Sequence, residues 1–179
     1  IRLSLVGSEM CIRDSGNEIL QQRAQLIKAR LQIAVHQPQN ARQTLEHLEQ
    51  IAEQTENLNL FKNVVGLYSQ IDLTDQALAV CERMQKLFPR VPGVYTQRAA
   101  VWQKLSRFDE AVADYRRAVE CQPGDLALQR QLVHALDEQR DIEEALTVLE
   151  TVESLGQTGQ AMAHYERGML FTRWGLLAQ

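Results

Sequence analysis

The stretch RFDEAVADYRRAVECQP, residues 107–123, decides the fold once it is set beside LTDQALAVCERMQKLFP (73–89) and DIEEALTVLETVESLGQ (141–157). Ala77, Ala111 and Ala145 fall at the same place in the three segments, 34 residues apart. Leu78, Val112 and Leu146 follow them directly. Cys81, Tyr115 and Leu149 come one turn later, and Met84, Ala118 and Val152 three residues after that. Apolar residues at i, i+4 and i+7 form one stripe of an amphipathic helix. Pro89 and Pro123 stand where such a helix has ended, because proline cannot continue it.

A second helix is expected ahead of each of these. Phe61, Val64, Val65 and Tyr68 make the first stripe, Tyr95, Ala99 and Trp102 the second, and Leu132, Val133 and Leu136 the third. The breaks between paired helices are Gln70-Ile71-Asp72, Leu105-Ser106-Arg107 and Gln139-Arg140-Asp141. Asp72, Ser106 and Asp141 are of the types that accept hydrogen bonds from free amides at a helix start, so each is expected to cap the helix after it. Asp109-Glu110 and Glu143-Glu144 then favour the positive end of that helix.

Composition fits a helical array. Nine glycines and four prolines in 179 residues leave few turns, and aromatics at 6 % are thin for a β-sandwich. A net charge of −4 does not suit general phosphate-backbone binding, which needs clustered Lys and Arg, so no nucleic acid is expected. No apolar run reaches the roughly 20 residues of a membrane span. Cys11, Cys81 and Cys121 are too few and too scattered for a disulfide framework. Cys81 and Cys121 read as core filler. There is no phosphate loop, GxGxxG, GxSxG or HExxH, and His134 with Asp137, one turn apart, lacks a third ligand and reads as a surface pair. No catalytic residue, metal or cofactor is expected.

The 34-residue period, the alanine column and the closing prolines resemble the tetratricopeptide repeat (TPR) family. Residues Val94–Asp125 carry the resemblance best, through Tyr95, Trp102, Phe108, Ala111, Tyr115, Ala118 and Pro123. It implies an all-α, right-handed α-solenoid of antiparallel helix pairs. Units are then expected at 58–91, 92–125 and 126–159, with a degenerate helical pair at 16–57, built from Glu18–His36 and Ala41–Glu56 around the breaker 37–40. Leu26, Ala29, Leu31, Ala34, Leu45, Leu48, Ile51 and Ala52 would form its apolar faces. Residues 160–179 read as the first helix of a truncated further unit. Its register is expected to be shifted by one inserted residue, with Gly168 at the close crossing. Residues 1–15 resemble translated sequencing-adapter DNA and are expected to be non-native or disordered. The native protein is expected to extend beyond both ends.

What the resemblance implies about function is a protein- or peptide-binding scaffold, not an enzyme, working through the concave face lined by the first helices. The expected surface residues are Lys62, Asn63, Gln70, Gln97, Lys104, Arg130, Gln131 and His134, whose amides and cations suit a peptide backbone or a carboxylate. The carboxylate clamp of one TPR subfamily is broken here. Lys62 matches its first lysine, but Gly66 replaces an asparagine, Gln97 is only amide-like, and Ala127 and Gln131 stand at the later basic pair. The alternative is a non-catalytic TPR arm of a larger enzyme, such as a bacterial sulfotransferase or glycosyltransferase, or of a regulator. A cytoplasmic location is the default expectation, and exposed terminal faces could drive self-association.

Overall fold

The structure, a computed structural model, describes residues 2–175, and their side chains from residue 18 onward. Among the described residues there are nine helices and no strand. They are α1 Arg2–Ala34, α2 Pro38–Gln54, α3 Leu58–Gln70, α4 Thr74–Leu87, α5 Pro92–Lys104, α6 Phe108–Cys121, α7 Leu126–Gln139, α8 Ile142–Glu153 and α9 Gln157–Trp174. The helices α3, α5 and α7 begin in steps of 34 residues. Turns of two to four residues join successive helices, too short for anything but a sharp reversal within each helix pair. This is a TPR-like all-helical fold.

One turn geometry recurs. His36, Glu56, Asp72, Ser106 and Arg140 all have positive φ, between 46° and 69°. In each case the next amide donates back across six residues, as in Leu73 N–H to Tyr68 O, Arg107 N–H to Trp102 O and Asp141 N–H to Leu136 O, at 2.9–3.0 Å. This is the Schellman ending, which satisfies carbonyls that the helix leaves open. Asp72, Ser106 and Arg140 stand 34 apart, so the period governs the turns too. The N-cap reading is corrected accordingly. Ser106 lies in the left-handed turn and Arg107 is the N-cap of α6, without a side-chain bond. Asp72 holds the same turn position before α4. Asp141 caps as expected, accepting from the Glu144 amide at 3.0 Å.

The chain divides into two compact units, one through Val80 and one from Cys81. In the first, α1 packs on α2 and α3, and α2 on α3. Its core holds Leu45, Leu48, Phe61, Val64, Val65 and Tyr68, all essentially inaccessible. The buried Tyr68 hydroxyl is satisfied by donating to Glu49 at 3.3 Å, and Thr44 donates to Gln32 at 2.8 Å. The helix expected over Glu18–His36 ends at Ala34 and reaches back to Arg2, and α2 begins inside the expected breaker, with Pro38 in its first turn. Leu31 and Ala34 are exposed, against expectation. Ala29 faces the core, and two residues on is about 200° round the helix.

In the second unit each helix from α5 to α8 packs on the next. Buried residues include Ala99, Ala111, Val112, Leu132, Leu136, Ala145, Leu149 and Leu170. Trp102 is only half-buried, with the Arg107 guanidinium 4.4 Å above its ring. Cys121 is exposed, which corrects its reading as core; it is the last residue of α6 and lies off the stripe that ends at Ala118. The expected register shift in α9 is also absent. Its buried Ala163, Glu166 and Leu170 lie 34 residues after Gln129, Leu132 and Leu136, which are buried in α7. What differs is the start of α9, which lies three residues earlier in the repeat than that of α7. Its close approach is made by Gly159, where an added Cβ would sit 2.2 Å from the Val152 carbonyl oxygen, whereas Gly168 has open space around it.

Candidate functional site

Each unit carries part of the expected surface. In the first, Lys62 and Asn63 are half-buried on α3 and Gln70 is exposed at its end. Asn63 is engaged internally: it accepts from Arg30 of α1 at 3.2 Å and donates to the Asn59 carbonyl at 2.8 Å. Gln70 lines a hollow of ≈ 410 Å³ with Ile33, His36, Pro38, Ile71 and Asp72, near the turn between α1 and α2. In the second unit Gln97 is half-buried on α5, and Lys104 is exposed at the end of that helix. Arg130, Gln131 and His134 are exposed on α7. Gln97 and Gln131 hold the same repeat position, one period apart.

His134 and Asp137 do not form a surface pair. Asp137 is 6 % exposed, and its carboxylate accepts from Arg173 and, at 2.8 Å, from the Trp174 indole N–H, both at the end of α9. Trp174 thus closes onto α7, with Arg140 5.7 Å from its ring. His134 Nε2 lies 3.5 Å from the carboxylate of Glu166, which is itself buried. The polar contacts of the α7 face are therefore shared with α9.

A buried polar cluster on α4, α5 and α6 escaped the sequence reading. Arg98 meets Asp114 through two parallel bonds, Nε to Oδ2 at 2.7 Å and an η nitrogen to Oδ1 at 2.6 Å, and donates to Gln85 at 2.7 Å. Such a fork is the strongest geometry available to an Arg–carboxylate pair. The hydrogen bond to Asp114 raises the guanidinium pKa further, against burial. Nearby, burial pushes the Cys81 thiol up to about 12, with Arg98 opposing and Asp114 adding to the shift. Burial likewise raises the Tyr115 hydroxyl, which donates to Gln103 at 2.8 Å. A signal for the cluster did exist. Arg98 falls in the 34-step column of Val64 and Leu132, and Asp114 in that of Val80 and Val148. A charge in an apolar column needs a partner.

The acid pairs sit in the first turns of α6 and α8. Glu110 bonds to Arg107, which lowers its pKa. Glu144 accepts from Arg116 Nε at 3.0 Å, tying α8 to α6. Among the described residues no group of three His, Cys, Asp or Glu is placed to hold a metal ion.

No protein-family model matches the chain, and no curated protein does. Solved structures are similar. One is a protein of Podosopora anserina named as a kinesin light chain with nearly identical TPR-like repeats, at TM-score 0.64 and 19 % identity, covering 88 % of both chains. Another is the MamA RS-1 ArsTM double mutant, at TM-score 0.57 and 17 % identity over 85 % of this chain and 84 % of that one. A third is Naa15/Naa10 bound to HypK-THB, at TM-score 0.54 and 14 % identity, where 89 % of this chain matches 26 % of that one. At these identities the likeness is one of fold, and it agrees with the repeat read from the alanine column.

Proposed function

We propose that this TPR-like array is a protein-interaction scaffold that binds an extended peptide or protein segment through the polar residues of its first helices. The observation that carries the reading is the repetition of Gln97 and Gln131 at one position of α5 and α7, beside exposed Arg130. An amide offers both a donor and an acceptor, which is what a peptide backbone presents, and a guanidinium can hold a carboxylate through two bonds. Lys104 and His134 add donors in the second unit. Lys62 and Gln70 supply similar chemistry on α3 in the first, while Asn63 there is held by Arg30 and the Asn59 carbonyl. The MamA and kinesin-light-chain likeness supports this reading through the fold.

The test is selection of random peptides with free C-termini on the 179-residue chain, followed by titration of the winners. Arg130→Glu is expected to weaken a selected peptide by about tenfold, the effect of one charged contact near the centre of an interface. Gln97→Ala with Gln131→Ala is expected to cost several-fold. Affinities unchanged by all three substitutions would place binding elsewhere and overturn the proposal.

A further inference from the structure

The side of α1 opposite its buried Ala29 carries a row of apolar residues in open solvent. Leu20, Ile27 and Leu31 are 64, 58 and 60 % exposed, and Val35, in the turn just past the helix, is 60 % exposed, although the core-facing side of the same helix holds fully buried Ala29. Ala24 and Ala34, both exposed, fill the gaps. The order Leu20, Ala24, Ile27, Leu31, Ala34 spaces the row by four, three, four and three residues, the heptad spacing of a seam between two helices. Single exposed apolar side chains are ordinary, but a continuous stripe on one helix marks an interaction surface.

The borders of the stripe say what covers it. Arg23 and Arg30 flank one edge and Lys28 the other, at positions from which seam helices exchange salt bridges. From Ile19 to His36 there is no Asp or Glu. Arg30 is turned toward Asn63, while Arg23 and Lys28 have no acidic partner among the described residues. Two copies of this helix would bring basic edges together, which disfavours a homotypic seam. No helix of the described chain is long and apolar enough to cross a membrane. Two bare cations and no aromatic residue in the stripe also suit a bilayer surface poorly, since stable adsorption draws on several cations and interfacial aromatics.

We propose that this face of α1 docks an amphipathic helix of a partner protein, whose apolar seam is edged by Asp and Glu. The surface uses α1 residues that the peptide-binding reading does not, so it stands or falls independently of that reading.

The test uses a synthetic three-heptad peptide with Leu and Ile at its seam and Glu along both edges, together with a twin bearing Lys instead. Both are titrated onto the full chain at low and high salt. The acidic peptide is expected to bind at least about tenfold more tightly than the basic twin at low salt, with the gap closing as salt screens the edges. Leu31→Glu with Ile27→Glu is expected to lower acidic-peptide affinity by more than about tenfold. Arg23→Glu with Lys28→Glu, which keeps the apolar stripe and strong helix formers, is expected to reverse the preference between the two peptides. Circular dichroism identical to wild type for this second variant keeps the reversal from being a folding effect. Equal affinity for both peptides overturns the proposal. So does sedimentation showing a dimer broken by Leu31→Glu, or co-sedimentation with phosphatidylserine vesicles in place of acidic-peptide binding.

Discussion

Two neighbouring helix pairs solve the same packing problem with opposite chemistry. Where α7 and α8 place Leu132 and Val148, α5 and α6 place Arg98 and Asp114, one period earlier. The Asp114 side chain is 5 % exposed and that of Arg98 22 %, so an ion pair occupies space that the next repeat fills with aliphatic carbon. The fold tolerates both because each charge that enters has a partner. The energetics differ. An apolar pair gains by leaving water, whereas a buried ion pair must first recover the cost of desolvation and often does no better than break even. What the pair adds is direction: the fork on Asp114 and the bond to Gln85 admit one mutual rotation of three helices, where aliphatic side chains admit several.

The comparison breaks hardest when one partner is removed. Asp114→Val alone leaves Arg98 facing a desolvated site and is expected to cost about 3 kcal/mol in urea unfolding. Arg98→Leu with Asp114→Val, which copies the next repeat, is expected to return to within about 1 kcal/mol of wild type. A double variant no more stable than the single one would mean that the pair holds the helices together energetically as well as geometrically.

Alkaline pH probes the same neighbourhood. The Cys81 thiol rises from 9.0 to about 12 in the folded chain. Above pH 9 the unfolded chain therefore releases this proton first, the native state holds more protons, and stability falls as pH rises toward 12. By about pH 10.5 the loss is about 2 kcal/mol. Tyr115 adds the same sign from its own ordinary value of 10. Cys81→Val should flatten the pH 8–10.5 stability profile by that amount; a slope unchanged by the substitution would show that the thiol is open to solvent. At the turns the expected effect is smaller. Asp141→Ala removes a cap bond and should cost about 1 kcal/mol, while Arg107→Ala, at the uncapped start of α6, should cost less than half of that.

Much of this was legible before any coordinates. Ala77, Ala111 and Ala145 with Pro89 and Pro123 announced the helix pairs, and Phe61, Val64, Val65, Tyr68, Leu132, Val133 and Leu136 are buried as read. The misreadings share one cause. Asp72 and Ser106 stood one residue before the N-cap position, and Leu31, Ala34 and Cys121 were assigned to a face they miss. One residue turns a helix by about 100°, so a shift of one or two places moves a side chain from core to water. Arg98, Asp114, Asp137 and Glu166 were legible only as charges in or beside apolar columns, with no hint of their partners.

The sequence by itself determined the period, the helical class and the buried stripes, because these follow from local propensity and from each helix's need to cover one apolar side. Tertiary structure alone decided which polar groups go inward together, such as Arg98 with Asp114 and Asp137 with Arg173 and Trp174. It also decided that the apolar row of α1 stays open to solvent. Such pairings depend on how neighbouring helices are rotated and offset against each other, and that is set by the packing of residues far apart in the chain.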